Sequence, residues 1–208
     1  MNNKLLILPV IALAITISVI FLLVPQEERK IQSFDNTYKE INSKLQKSLE
    51  KRNISMSTPI TFSKDAAISK YCSFFDDQQK QSIIKYCTST ELKNESKEFM
   101  GNIHLIGKPS SPMLVIGLVQ VDPFMSSLDS VKIVFDTMVI DVICDCWAEQ
   151  KPDGFDSIDS WIDAMRDFHT SGSTPNSKSK ILSLDGNTLQ MELTTNKDGY
   201  LWKIFLSE

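Results

Sequence analysis

Four cysteines, Cys72, Cys87, Cys144 and Cys146, and two histidines, His104 and His169, are the thiols and imidazoles available to this chain. An even cysteine count suggests disulfides if the chain is exported. On a strand, Cys144 and Cys146 would point to one face, their Cα atoms roughly 6.6–6.8 Å apart and at the edge of disulfide reach. Two pictures follow. In one, Cys72 and Cys87 staple neighbouring turns of a helical hairpin and leave Cys144 and Cys146 free or strained. In the other, each helix cysteine reaches one of the strand pair, which uses every thiol without strain. Four cysteines allow three pairings, and spacing does not choose among them.

The alternative chemistry for the same residues is a metal site, with Cys144-Asp145-Cys146 supplying two thiolates and Cys72, Cys87, His104 or His169 completing it. Structural zinc usually shows two C-x₂₋₄-C knuckles, and here there is a single C-x-C. No C-x-x-C is present, so a thioredoxin-like role lacks its motif. A Ser-His-Asp hydrolase is compatible with the two histidines, but no G-x-S-x-G elbow or H-E-x-x-H helix accompanies them. With seven glycines in the chain, neither a Walker loop nor G-x-G-x-x-G is found. No cofactor and no resident metal are implied.

Two further patterns involve charge and modification. Asp153, Asp156, Asp159, Asp163 and Asp167 recur at helical steps, which spreads carboxylates along a face rather than converging them on a cation. A solvated face is the expectation, with Asp156 and Asp159 favourable near a helix N-terminus. Asn53-Ile54-Ser55 and Asn94-Glu95-Ser96 match the glycosylation acceptor, making Asn53 and Asn94 candidates if the chain is exported.

Export is suggested by residues 5–24, an uncharged run of 20 residues. A helix of that length spans the roughly 30 Å hydrocarbon core of a bilayer. A cleaved signal would show a shorter apolar region and small residues at the cut, whereas this run ends Phe21-Leu22-Leu23-Val24-Pro25. An uncleaved signal-anchor is therefore preferred, with secretion after cleavage as the alternative. Lys4 is the only charged residue among the first 24. The other 184 residues therefore carry a formal −5 of the chain's total of −4, and without a basic cluster they argue against nucleic acid.

The elements that must position the cysteines and histidines follow the anchor. Residues 27–52 place Ile31, Phe34, Tyr38, Ile41, Leu45 and Leu49 at helical spacing, for packing on the domain, a membrane-proximal stalk or self-association. A polar connector ends at Pro59, and a helical region is expected to carry Cys72 and, beyond a polar patch, Cys87. Residues 103–106 and 113–121 read as strands about a Gly/Pro-rich turn. Residues 131–147, rich in Val and Ile, read as bulged β structure. An amphipathic helix follows at 157–169, then a polar loop and a three-strand meander from residue 181 to the C-terminus.

The sequence thus predicts an α+β protein: an N-terminal transmembrane helix, then helices packed on one face of a mainly antiparallel sheet. The expected organisation is a signal-anchor at 1–24, a juxtamembrane helix and connector at 25–58, and an extracytoplasmic domain at 59–208. The bilayer is the partner of residues 5–24, and helix 27–52 is open to a protein partner or a second copy. The expected role is non-enzymatic, binding or structural, at the cell membrane. A thiol/metal-dependent or hydrolytic enzyme of the cell exterior is the alternative.

Overall fold

The computed structural model describes residues 34–74, 78–172 and 174–208. The expected bilayer span at 5–24, and the start of the helix expected at 27–52, lie outside the described residues. Among the described residues, no helix is long and apolar enough to cross a membrane.

Helix α1 (Tyr38–Glu50) begins at a reciprocal cap. The Thr37 side chain accepts from the Glu40 amide while the Glu40 carboxylate accepts from the Thr37 amide at 2.8 Å. These bonds hold the Glu40 carboxyl below its usual range. The cap places the start of the helix, and the preceding Phe34 packs into the core from non-helical chain. Tyr38, Ile41, Leu45 and Leu49 are buried along one stripe. Full burial of a leucine contributes roughly 1.5–3 kcal/mol, so this face binds α1 to the domain.

Next come β1 (Ser55–Met56), β2 (Ile60–Phe62), and two short helices, α2 (Asp65–Tyr71) and α3 (Gln78–Ile83). The long strands β3 (Tyr86–Lys93), β4 (Phe99–Gly107) and β5 (Pro112–Val121) follow. Helix α4 (Leu128–Val142), the one-turn α5 (Trp147–Gln150) and α6 (Ile158–Ser171) precede β6 (Asn176–Lys178), β7 (Leu182–Leu184), β8 (Asn187–Asn196) and β9 (Gly199–Ser207). All strands join one antiparallel sheet, ordered β1-β3-β4-β5-β9-β8-β6, with β2 also on β3 and β7 also on β8. The C-terminal strand β9 therefore sits centrally, between β5 and β8.

Strand alternation divides the sheet into two faces. Ile103, Leu105, Val115, Val119, Trp202 and Ile204 pack with the buried sides of α1, α4 and α6 in the main core. Cys87, Ile106, Leu114 and Ile116 form a second core with Ile68, Cys72 and Ile84. The expectation of an α+β fold on a large antiparallel sheet holds. Ile68 of α2, Cys72 at its end and Ile84 just after α3, however, pack against the face opposite the three longer helices.

Two local assignments are corrected. Residues 128–142 form a helix, not β structure. Val131, Val134, Phe135, Met138, Val139 and Val142 are buried along it, so enclosure between the sheet and helices α1 and α6 outweighs the modest cost of β-branched residues in a helix. Residues 86–93 form strand β3 rather than continuing a helix, because Cys87, Thr88, Thr90 and Leu92 fill both faces beside β4. Cys87 is therefore a strand residue.

Candidate functional site

The cysteines form two disulfides, Cys72–Cys87 and Cys144–Cys146. Neither bridges the helices to a strand pair. Cys72 caps the C-terminus of α2 and Cys87 lies on β3, with Cα atoms 6.4 Å apart and both side chains fully buried. This bridge spans a separation of 15 residues and pins the end of α2 to β3.

Cys144 and Cys146 lie in the turn that ends α4 and starts α5. Off a strand, their Cα atoms approach to 5.2 Å, inside ordinary disulfide range. The i,i+2 pairing that looked awkward on extended chain is reachable because the chain turns. Both side chains are half-buried against the main core. Asp185, from the β7–β8 turn, joins them: its carboxylate and the two sulfurs all lie within 4.8 Å of one another. Gln150 on α5 ties the group together. Its Oε1 accepts the Asp185 amide at 3.0 Å, and its Nε2 lies 3.3 Å from the Cys146 sulfur. Asp185 was not singled out in the sequence, although its Asp-Gly turn was legible.

The histidines lie elsewhere. His169 on α6 is buried, with Nδ1 at 2.8 Å from the Ser177 hydroxyl on β6 and Nε2 at 2.8 Å from the Thr195 hydroxyl on β8. The Tyr200 ring meets it edge-on. Burial lowers its pKa. Both ring nitrogens are thus held by hydroxyls, the Thr195 side being open to solvent. His104 on β4 shares the second core's face of the sheet, where the Phe74 ring lies 4.9 Å away. Among the described residues its buried Nδ1 has no hydrogen-bond partner, and burial lowers its pKa to about 4. Neither imidazole joins the Cys144–Cys146 group.

The aspartates behave as a solvated face. Asp153 pairs with Lys180 at 3.6 Å, Asp156 with Lys151 at 2.6 Å, Asp163 with Lys132 at 2.8 Å, and Asp167 with Arg166 at 2.8 Å. Asp159 borders a cleft of about 380 Å³ between α4 and α6 that also contains Arg52, Asp129, Lys132 and Asp136. Partial desolvation raises the Asp159 carboxyl above its usual range, with Asp136, Asp163 and Asp129 adding to the effect and Lys132 opposing it. In this cleft Arg52 pairs with Asp136 at 2.9 Å, so its cation is already engaged.

Of the two sequons, Asn53 is exposed in the turn after α1 with φ 63°. Asn94 starts the β3–β4 turn, where its Oδ1 accepts the Glu98 amide and its Nδ2 donates to the Glu98 carboxylate, both at 2.9 Å. Compared with known proteins, the chain matches no family description, no curated protein and no solved structure.

Proposed function

We propose that this chain is a single-pass, membrane-anchored protein whose residues 25–208 face the cell exterior and serve a non-enzymatic, binding or structural role. The observation that carries the reading is the pair of disulfides, which suits an extracellular or secreted setting. The uncharged run at 5–24 supplies the anchor. His104 supports the non-enzymatic side, facing Phe74 from within the second core. Helix α1 commits its apolar stripe to the domain core, which favours a partner elsewhere than on that stripe.

Topology is the direct test. In intact cells making the full chain, an impermeant protease should digest residues 25–208 while the N-terminal segment stays in carbonate-washed membranes. A chain in the medium lacking its first two dozen residues would replace the anchor with a cleaved signal. Protection of the domain in intact cells would reverse the orientation.

One arrangement favours the hydrolytic alternative: the exposed Thr195 hydroxyl against His169 Nε2, with Ser177 behind Nδ1, has the spacing of a nucleophile, base and orienting group. A fluorophosphonate probe separates the readings. No labelling is expected, whereas His169-dependent labelling of Thr195 would establish the enzyme.

A further inference from the structure

The two disulfides differ in what they hold and in what can reach them. Cys72–Cys87 is sealed in the second core and spans a separation of 15 residues. Cys144–Cys146 spans a separation of two and is half-exposed. A cross-link over so short a separation removes little freedom from the unfolded chain. Its surroundings are held by other means: Trp147 is buried and donates its indole N–H to the Phe155 carbonyl at 3.0 Å, and Leu182 and Leu184 anchor β7 in the core. Opening this bridge would leave its scaffold standing.

That scaffold points a third ligand at the sulfurs. Asp185 and Gly186 occupy the two-residue β7–β8 turn with φ 50° and 79°, the left-handed pair that a tight hairpin requires. The Asp185 carbonyl also accepts from Asn187 Nδ2 at 3.0 Å, and its amide is held by Gln150. These bonds hold the Asp185 backbone beside the sulfurs, and its exposed carboxylate lies within 4.8 Å of both. Two thiolates and a carboxylate form a soft, anionic ligand set suited to a thiophilic divalent ion.

We propose that Cys144, Cys146 and Asp185 form a zinc-class cation site that becomes available when the Cys144–Cys146 disulfide is reduced. The bridge takes two electrons and two protons from a dithiol, which is left as its own disulfide. The S–S bond breaks, two thiols form, and the entering ion displaces both thiol protons. Thiolates about 2.3 Å from a tetrahedral ion stand roughly 3.8 Å apart, so the freed sulfurs need only separate within the turn. Asp185 supplies the third position and water the fourth. Gln150, touching both Cys146 and Asp185, is a positioning residue. The site stands independently of membrane anchoring or the side of the membrane that the domain faces.

The test uses the full-length chain, a limiting phosphine reductant and zinc alone. Mapping of alkylated peptides should find Cys144 and Cys146 modified first, with Cys72–Cys87 intact. Zinc added before alkylation should remain at one equivalent per chain and slow labelling of the pair at least about tenfold. Asp185→Asn should keep both thiols reducible but weaken zinc at least about tenfold, and Gln150→Ala should weaken it by a similar or smaller factor. A Cys144→Ser/Cys146→Ser chain should retain no zinc, with an unchanged far-ultraviolet circular dichroism spectrum as evidence of folding. Freed thiols that hold no zinc would overturn the proposal. So would zinc held as tightly by Asp185→Asn, or prior reduction of Cys72–Cys87.

Discussion

His104 provides a test of how burial governs the stability of this domain. The residue is 8% exposed beside Phe74, its Nδ1 has no hydrogen-bond partner among the described residues, and burial lowers its pKa from 6.5 to about 4. Protonation is thus opposed in the folded chain but ordinary in the unfolded one. Between pH 6.5 and about 4 the unfolded chain binds more protons, so stability falls as pH falls through that window and is retained above it. The gap between the two pKa values corresponds to about 3 kcal/mol across the window, approaching 1.4 kcal/mol per pH unit at its steepest. Trp147, Trp161 and Trp202 are all buried, so intrinsic fluorescence follows unfolding in urea. His104→Leu should flatten most of the slope between pH 6.5 and 4.5 while keeping stability at pH 7.5 within about 1 kcal/mol, because it removes an unpartnered polar atom from an apolar site. His169, also lowered by burial, accounts for a residual slope of the same sign. A urea midpoint independent of pH in the parent chain, or an equal slope in His104→Leu, would refute the reasoning.

The remaining expectations concern stability at neutral pH, all measured as urea midpoints. Replacing Cys72 and Cys87 together by alanine should cost about 3 kcal/mol, the loop-closure value for a 15-residue separation. The same change at Cys144 and Cys146 should cost clearly less, and equal losses would contradict the distinction drawn between the bridges. Gly101→Ala should be severe, because its Cβ would overlap the Leu118 backbone carbonyl. Gly117→Ala should be milder, about 1–3 kcal/mol, since the nearest obstruction is the flexible Met138 side chain. Thr37→Ala removes one half of the α1 cap and should cost about 1 kcal/mol, with a loss below about 0.3 kcal/mol counting against the cap.

Much of the fold can be read along the chain wherever one face is wet. The meander β7–β8–β9 shows it best: Leu189, Met191 and Leu193 alternate with Gln190, Glu192 and Thr194, and Asp185-Gly186 supplies the turn. Helix α6 was legible for the same reason, its buried Ile158, Trp161, Ile162 and Met165 standing against charged residues. At the start of α1, Thr37 and Glu40 form a capping box that the apolar spacing alone did not mark, residues 34–37 being non-helical. Such signals are local, since solvent on one side imprints a period on the sequence.

Where tertiary structure encloses an element, the imprint fades. Helix α4 buries Val131, Val134, Phe135, Met138 and Val139 amid other packed residues, which blurs the period that distinguishes a helix from a strand. Strand β3 was hidden likewise, since both faces of its Cys87–Thr88 stretch are buried. The site chemistry inherited these ambiguities. Composition determined that four thiols, two imidazoles and an apolar N-terminal run were present. Only the folded chain decided that Cys144 and Cys146 sit on a turn with Cα atoms 5.2 Å apart, and that Asp185 meets them from 39 residues further along. Ligand geometry depends on how distant segments pack, and packing is a property of all those segments together.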